Sequence, residues 1–265
     1  MEKDLKKILT RHLELDAFYT GDFSMRAPRP AAPAQPPHLP DDETMKKAPK
    51  RAQTKPSETH CTDDQIAALE TLDDIAAVVR QCQRCRLGST RTNAVPGQGN
   101  PKARLVFIGE GPGADEDAQG LAFVGRAGKL LTDMITAMDL TRDQVFIGNI
   151  VKCRPPENRD PRPDEIGACS PYLKRQLELL APQVIVALGA HAARTLLQVD
   201  DGIGKMRGQF FEYRFSETLP PAKLMPTYHP AFLLRSYTVE NRRRVWEDMK
   251  KVMNELGLTP PPKKT

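Results

Sequence analysis

Apolar residues along this chain follow two rhythms. Short β-rich, mostly apolar runs recur at residues 105–109, 145–151, 184–189 and 224–229. Between and after them, at 128–138, 163–180, 190–197 and 239–256, apolar residues return every three or four positions among polar ones. A short unbroken run suits a strand covered on both faces, and the three-to-four spacing suits a helix with one buried stripe. Strands alternating with helices predict an α/β protein whose parallel sheet is covered on both sides. In such sheets, sites form in the crevice at the carboxyl ends of the strands. Those ends are Gly109-Glu110-Gly111, Asn149 with the loop after it, and His229-Pro230.

Upstream, residues 62–82 read as one further helix capped by Thr62 or Asp63. Residues 1–19 carry Leu5, Ile8, Leu9, Leu13, Leu15 and Phe18 among charges, the pattern of an amphipathic helix. Six prolines fall between Ala27 and Pro40, and a wholly polar stretch follows. Such a segment lacks the apolar surface needed to offset its ordering entropy, so it reads as an extended linker. The expected organisation is an N-terminal helix over 1–20, a linker over 21–61, one domain over 62–257 and a tail over 258–265. The tethered helix is a candidate contact for a protein partner.

The 265 residues include 39 Lys and Arg against 34 Asp and Glu, a net charge of +5, with a mean hydropathy of −0.50. No run approaches the ~18 apolar residues of a membrane span, and the N-terminus shows no apolar stretch of secretory type. The expectation is a protein that is neither membrane-embedded nor exported. The modest positive excess permits a polyanionic partner without demanding one. Basic residues gather at Arg84 and Arg86, at Arg154 and Arg159, and at Arg242-Arg243-Arg244, the last reading as solvated surface.

Five cysteines in a chain with no export signal point to thiolate or metal chemistry rather than disulfides. Cys82 and Cys85 form a C-x2-C pair, while Cys153 and Cys169 lie far downstream. Cys153 sits in a Pro- and Arg-rich loop, an odd place for a merely buried thiol. Four thiolates suit an iron–sulfur cluster or a four-cysteine zinc site, and the wide second spacing leans towards the cluster. Cys61, in the linker, has no evident partner. The glycine-rich turn at 109–113 fails the G-x-G-x-x-G pattern, because Ala114 stands at its last position and Pro112 removes a donor. Gly125-Arg-Ala-Gly128-Lys129 lacks the Walker spacing. What remains is a tight turn that presents backbone amides and Glu110.

Taken in order, Cys82-x-x-Cys85, the run Gly109-Glu-Gly-Pro-Gly-Ala-Asp-Glu-Asp117 with Phe123-Val-Gly-Arg126, Asn149-Ile-Val-Lys-Cys-Arg-Pro-Pro156, Cys169 and His229-Pro-Ala231 resemble the family 4 uracil-DNA glycosylases. The resemblance spans about Cys82 to Arg235. It implies a three-layer α/β/α sandwich with a central, mainly parallel four-stranded sheet. It also implies a four-iron four-sulfur cluster held by Cys82, Cys85, Cys153 and Cys169. The implied activity is removal of uracil from single- or double-stranded DNA, leaving an abasic site, by a cytoplasmic, nucleoid-associated monomer.

By matching position, Gly109, Glu110, Gly111, Phe123, Asn149 and His229 bind the base. Phe123 offers a stacking face. The Asn149 amide can accept from uracil N3–H and donate to O4, whereas cytosine reverses both. His229 can donate to uracil O2 as charge develops on the departing base. Better-known uracil glycosylases carry a water-positioning Asp where this chain has Gly111, so that carboxylate must come from elsewhere. Glu116 is the candidate, with Asp115 and Asp117 as competitors; Glu110 lines the pocket and Asn158 assists. Residues 230–235 have the composition of a wedge, or of a helix with an apolar face. The alternative from another class is a module that binds uracil or damaged DNA without turnover. A related branch traps uracil-DNA through a histidine in an Arg-rich loop, and residues 156–161 here contain none.

Overall fold

A computed structural model describes residues 61–259 of the protein. The expected N-terminal helix, nearly all of the linker and most of the tail lie outside these residues. The four expected strands form a parallel core: β2 (Leu105–Gly109), β3 (Phe146–Asn149), β4 (Val184–Leu188) and β6 (Ala222–Thr227). Among the described residues the sheet nonetheless has six strands, with β1 (Gln98–Gly99) and β5 (Phe211–Tyr213) added in the order β1-β3-β2-β4-β6-β5. β1 joins β3 antiparallel, and β5 joins β6 antiparallel. Both additions are short, incompletely buried edge strands: β1 is a Gln-Gly pair with no apolar residue, and β5 alternates apolar and polar residues (Phe211-Glu212-Tyr213) instead of forming an unbroken apolar run.

Alternate strand residues face two separate cores. Val106, Ile108, Ile185, Ala187 and Leu224 pack with Ile75, Val79, Tyr172, Leu177, Ala192 and Leu196. Leu105, Phe107, Ile147, Val186 and Met225 pack with Leu131, Met134, Ile135, Val245, Met249 and Val252. The helices Leu72–Gln81, Pro163–Leu180 and Ala190–Leu197 thus cover one face. Arg126–Ala137 and Val239–Glu255 cover the other, which gives three layers.

The single helix expected from residue 62 is two, Asp63–Ala67 and Leu72–Gln81. The cause is a second capping box. Thr71 Oγ1 accepts from the Asp74 amide, and Asp74 Oδ2 accepts from the Thr71 amide, each at 3.1 Å, so a new helix starts there. Among the described residues no helix is long and apolar enough to cross a membrane.

The chain runs from β2 out to β3 on one side, then returns to β4 on the other. The crevice at this switch point is where the strand ends leave room for a ligand.

Candidate functional site

A cleft of about 580 Å³ opens at the carboxyl edge of the sheet. Its walls include Glu110, Gly111, Glu116, Phe123, Asn149, Asn158 and His229. Gly109 is the one base-binding candidate not on that wall; it lies directly behind it. The register pairs Gly109 with Asn149 across β2 and β3, which puts them at one level of the sheet. A Cβ on Gly109 would stand 2.5 Å from Phe123 Cζ and 2.6 Å from Asn149 Oδ1. Only a glycine lets the ring and the amide close over the strand end.

Asn149 is 1% exposed, and its Oδ1 has no hydrogen-bond partner in the protein. A buried acceptor left unpaired costs about 1–3 kcal/mol, so its presence at a cleft wall points to a donor that arrives with a ligand. Lys152 fixes the same residue from behind. Its buried Nζ donates to Asn149 O at 2.8 Å and to Gln176 Oε1 at 2.7 Å. Burial lowers the Lys152 pKa to about 8, against the opposing pull of Cys169 and Cys153.

His229 precedes Pro230 and caps the helix Pro230–Arg235; its Nδ1 accepts from the Ala231 amide at 3.0 Å. Nδ1 is therefore the acceptor, and in the neutral ring Nε2 carries the proton. Burial lowers the His229 pKa to about 4, and Arg235 adds to the shift, so the ring is neutral near pH 7. The Phe123 and His229 rings lie 5.8 Å apart, centre to centre, tilted by 34°.

The carboxylates differ in how their oxygens are used. Glu116 Oε1 accepts from the Val124 and Gly125 amides, each at 2.8 Å, and Oε2 accepts from the Gly113 amide at 3.1 Å. One acceptor position on Oε2 is left. Asp117 is buried away from the cleft wall, its Oδ1 taking the Thr92 and Asn93 amides. Asp115 is exposed beside Gly125. Glu110 has its pKa raised by burial and by Asp160, while His191 opposes the shift. Its carboxylate lies with Asp160 and His191, ligating atoms within 4.8 Å of one another. Neither Asp160 nor His191 carried a signal in the sequence; only the fold brings them to the rim. Asn158 Oδ1 accepts from Arg154 Nε at 2.8 Å. Arg159 grips the fully buried Glu165 with two bonds of 2.8 and 2.6 Å, pinning that loop against the cleft.

The four expected cysteine ligands converge. Cys82, Cys85, Cys153 and Cys169 line one small cavity with Arg84, Arg91 and Lys152. Cys169 Sγ accepts from the Lys152 amide at 3.3 Å, Cys82 Sγ from the Arg84 amide at 3.5 Å, and Cys153 Sγ from Arg91 Nη1 at 2.9 Å. Burial pushes the Cys169 thiol up to about 12 and raises those of Cys85 and Cys153. Thiolate there needs cationic compensation, which N–H donors, two guanidiniums and a metal centre would provide. Four thiols lining one cavity suit a metal centre with four cysteine ligands.

Comparison with known proteins shows the family. The family model described as the uracil DNA glycosylase superfamily matches residues 96–250. The chain is 47% identical over 197 residues to the type-4 uracil-DNA glycosylase of Sulfurisphaera tokodaii, covering 72% of this chain and 87% of that protein. It is 48% identical over 197 residues to that of Saccharolobus solfataricus, covering 72% and 89%. It is 44% identical over 198 residues to that of Archaeoglobus fulgidus, covering 73% and 97%.

Proposed function

The chain belongs to the uracil-DNA glycosylase superfamily, on its type-4 branch, and from that premise we propose that it everts uracil from DNA into the cleft and hydrolyses its glycosidic bond, leaving an abasic site. The observation that carries the reading is the buried, unpartnered Oδ1 of Asn149 beside the Phe123 and His229 rings. Eversion costs a few kcal/mol, which stacking on Phe123 and the edge contacts offset. Asn149 Oδ1 accepts from N3–H and its amide donates to O4. His229 donates from Nε2 to O2, where negative charge grows as the C1′–N1 electron pair leaves with the base. Water adds to C1′ at the open acceptor position of Glu116 Oε2, and its proton passes to that carboxylate. Leu234, 41% exposed, fills the space left in the stack, and Arg235 at the cleft rim meets a phosphate.

Cys82, Cys85, Cys153 and Cys169 hold a four-iron four-sulfur cluster in this reading. It would supply a structural cross-link between the C-x2-C segment, the loop after β3 and the helix Pro163–Leu180. The protein acts as a monomer on single- or double-stranded DNA. The test is release of free uracil from a uracil-containing oligonucleotide over multiple turnovers without strand cleavage. Metal-loaded protein that releases none overturns the proposal.

Two further outcomes follow. A methyl at position 109 pushes the ring and the amide apart, so Gly109→Ala lowers kcat/KM about 100-fold. Circular dichroism and steady-state kinetics on the same preparation check that the loss is local. The second concerns acid. With its folded pKa lowered to about 4, His229 keeps its role as a neutral donor down to that pH. The limb of the kcat profile due to this ring therefore lies near pH 4 and not near the ordinary ~6.5 of histidine. Below pH ~6.5 the unfolded chain binds a proton that the native ring refuses, so stability falls until the pH reaches about 4. His229→Gln removes this share of the acid destabilisation, as read from melting temperature against pH.

A further inference from the structure

We propose that Arg142 is a positioning residue for the stacking ring, holding the backbone of Phe123 in the one conformation that turns the ring onto an everted base. Phe123 has φ +52°, in the left-handed region that residues with a bulky side chain rarely adopt. Such a conformation persists only where the surroundings over-determine it. Arg142 Nη2 donates to Ala122 O at 2.7 Å, and Nη1 donates to Phe123 O at 3.1 Å and to Thr132 Oγ1 at 3.1 Å. One planar guanidinium thus grips two successive carbonyls, a geometry that a lysine ammonium cannot reproduce.

The opposite pole of the same loop is held by Glu116, whose Oε1 takes the Val124 and Gly125 amides. Carbonyls face a cation and amides face an anion, so the two charges together fix the loop's peptide dipoles. The first turn of the helix Arg126–Ala137 closes the third side: a Cβ on Gly128 would stand 1.9 Å from Phe123 O. Thr132 anchors the assembly, donating to Gly128 O at 3.0 Å while accepting from Arg142. Arg142 itself does not line the cleft, so it acts through Phe123 alone.

This inference rests on the reading of Phe123 as the base-stacking ring, and the test separates the two. In metal-loaded full-length protein, Phe123→Ala alone tests that reading: uracil release unchanged from wild type sinks it. Arg142→Lys is then measured with and without Phe123→Ala. The expected result is a loss of about tenfold in kcat/KM from Arg142→Lys when the ring is present and a loss under about twofold when it is absent. Affinity for DNA that already carries an abasic site, which offers no base to stack, stays unchanged, whereas a general loosening of the fold would weaken it. Thr132→Val passes through the same cycle, so that a poorly folding Arg142 variant does not leave the question open. Equal losses with and without the ring, or no loss from either variant, overturn the proposal.

Discussion

Asn149→Ala lowers kcat/KM for uracil release about 10³-fold, ~4 kcal/mol of transition-state stabilisation. The effect is large because two contacts to the base vanish at once, at a side chain that is 1% exposed and so has no bulk water to replace them. It is also clean. Asn149 Oδ1 has no partner in the protein, so alanine strands no internal group, and the Lys152 bond goes to the backbone carbonyl, which remains. Melting temperature should therefore move by only a few degrees. Binding to undamaged DNA should change little, because phosphate contacts dominate nonspecific affinity. Single-turnover kinetics and a DNA-binding titration at one stated salt concentration separate these effects. A variant that keeps uracil release within threefold of wild type would remove Asn149 from base recognition.

Cys169→Ser abolishes the absorption near 400 nm characteristic of iron–sulfur centres and lowers the melting temperature by about 10 °C. Three separate segments meet at the cavity, carrying Cys82 with Cys85, Cys153, and Cys169. Losing a centre that joins them costs about 3–5 kcal/mol, roughly a third of the ~5–15 kcal/mol stability of an ordinary domain. Uracil release falls as a consequence, because the Lys152 amide bonds to Cys169 Sγ while its Nζ supports Asn149. Metal analysis of the wild type decides between iron and zinc. Serine at position 169 with unchanged melting and unchanged spectrum would show that these thiols hold no structural centre.

Much of the architecture was legible because its causes are local. The helices Pro163–Leu180 and Ala190–Leu197 match their expected bounds: proline starts the first, and a periodic apolar stripe defines both. The parallel core strands are mostly apolar, β2 and β4 without a break. The break before Leu72 was also legible in principle, since Thr71 and Asp74 stand at capping-box spacing. Edge strand β1 was not, because a two-residue Gln-Gly pairing has no pattern of its own, whereas β5 carries a short apolar–polar alternation that a search for unbroken runs passes over. At the site, Phe123, Asn149 and His229 were found through motif order and do surround one cleft. Arg142 and the Asp160–His191 pair at the rim were missed, because an arginine in a short polar turn, an aspartate in a loop and a histidine at the start of a helix look like ordinary surface.

The chain's own pattern decides the order of the core strands and helices, and motif order picks out four cysteines that line one small cavity and Phe123, Asn149 and His229 that line one cleft. These depend on side-chain period and residue chemistry, which are properties of neighbouring positions. Only the folded molecule decides how each polar atom is used. It leaves Asn149 Oδ1 open, commits His229 Nδ1 to a helix cap and spends most of Glu116 on amides. Those allocations depend on groups brought together from far along the chain: Arg91 reaches Cys153 across 62 positions, and Arg142 reaches Phe123 across 19. A hydrogen bond is set by distance and angle in space, and neither is written in the spacing of letters.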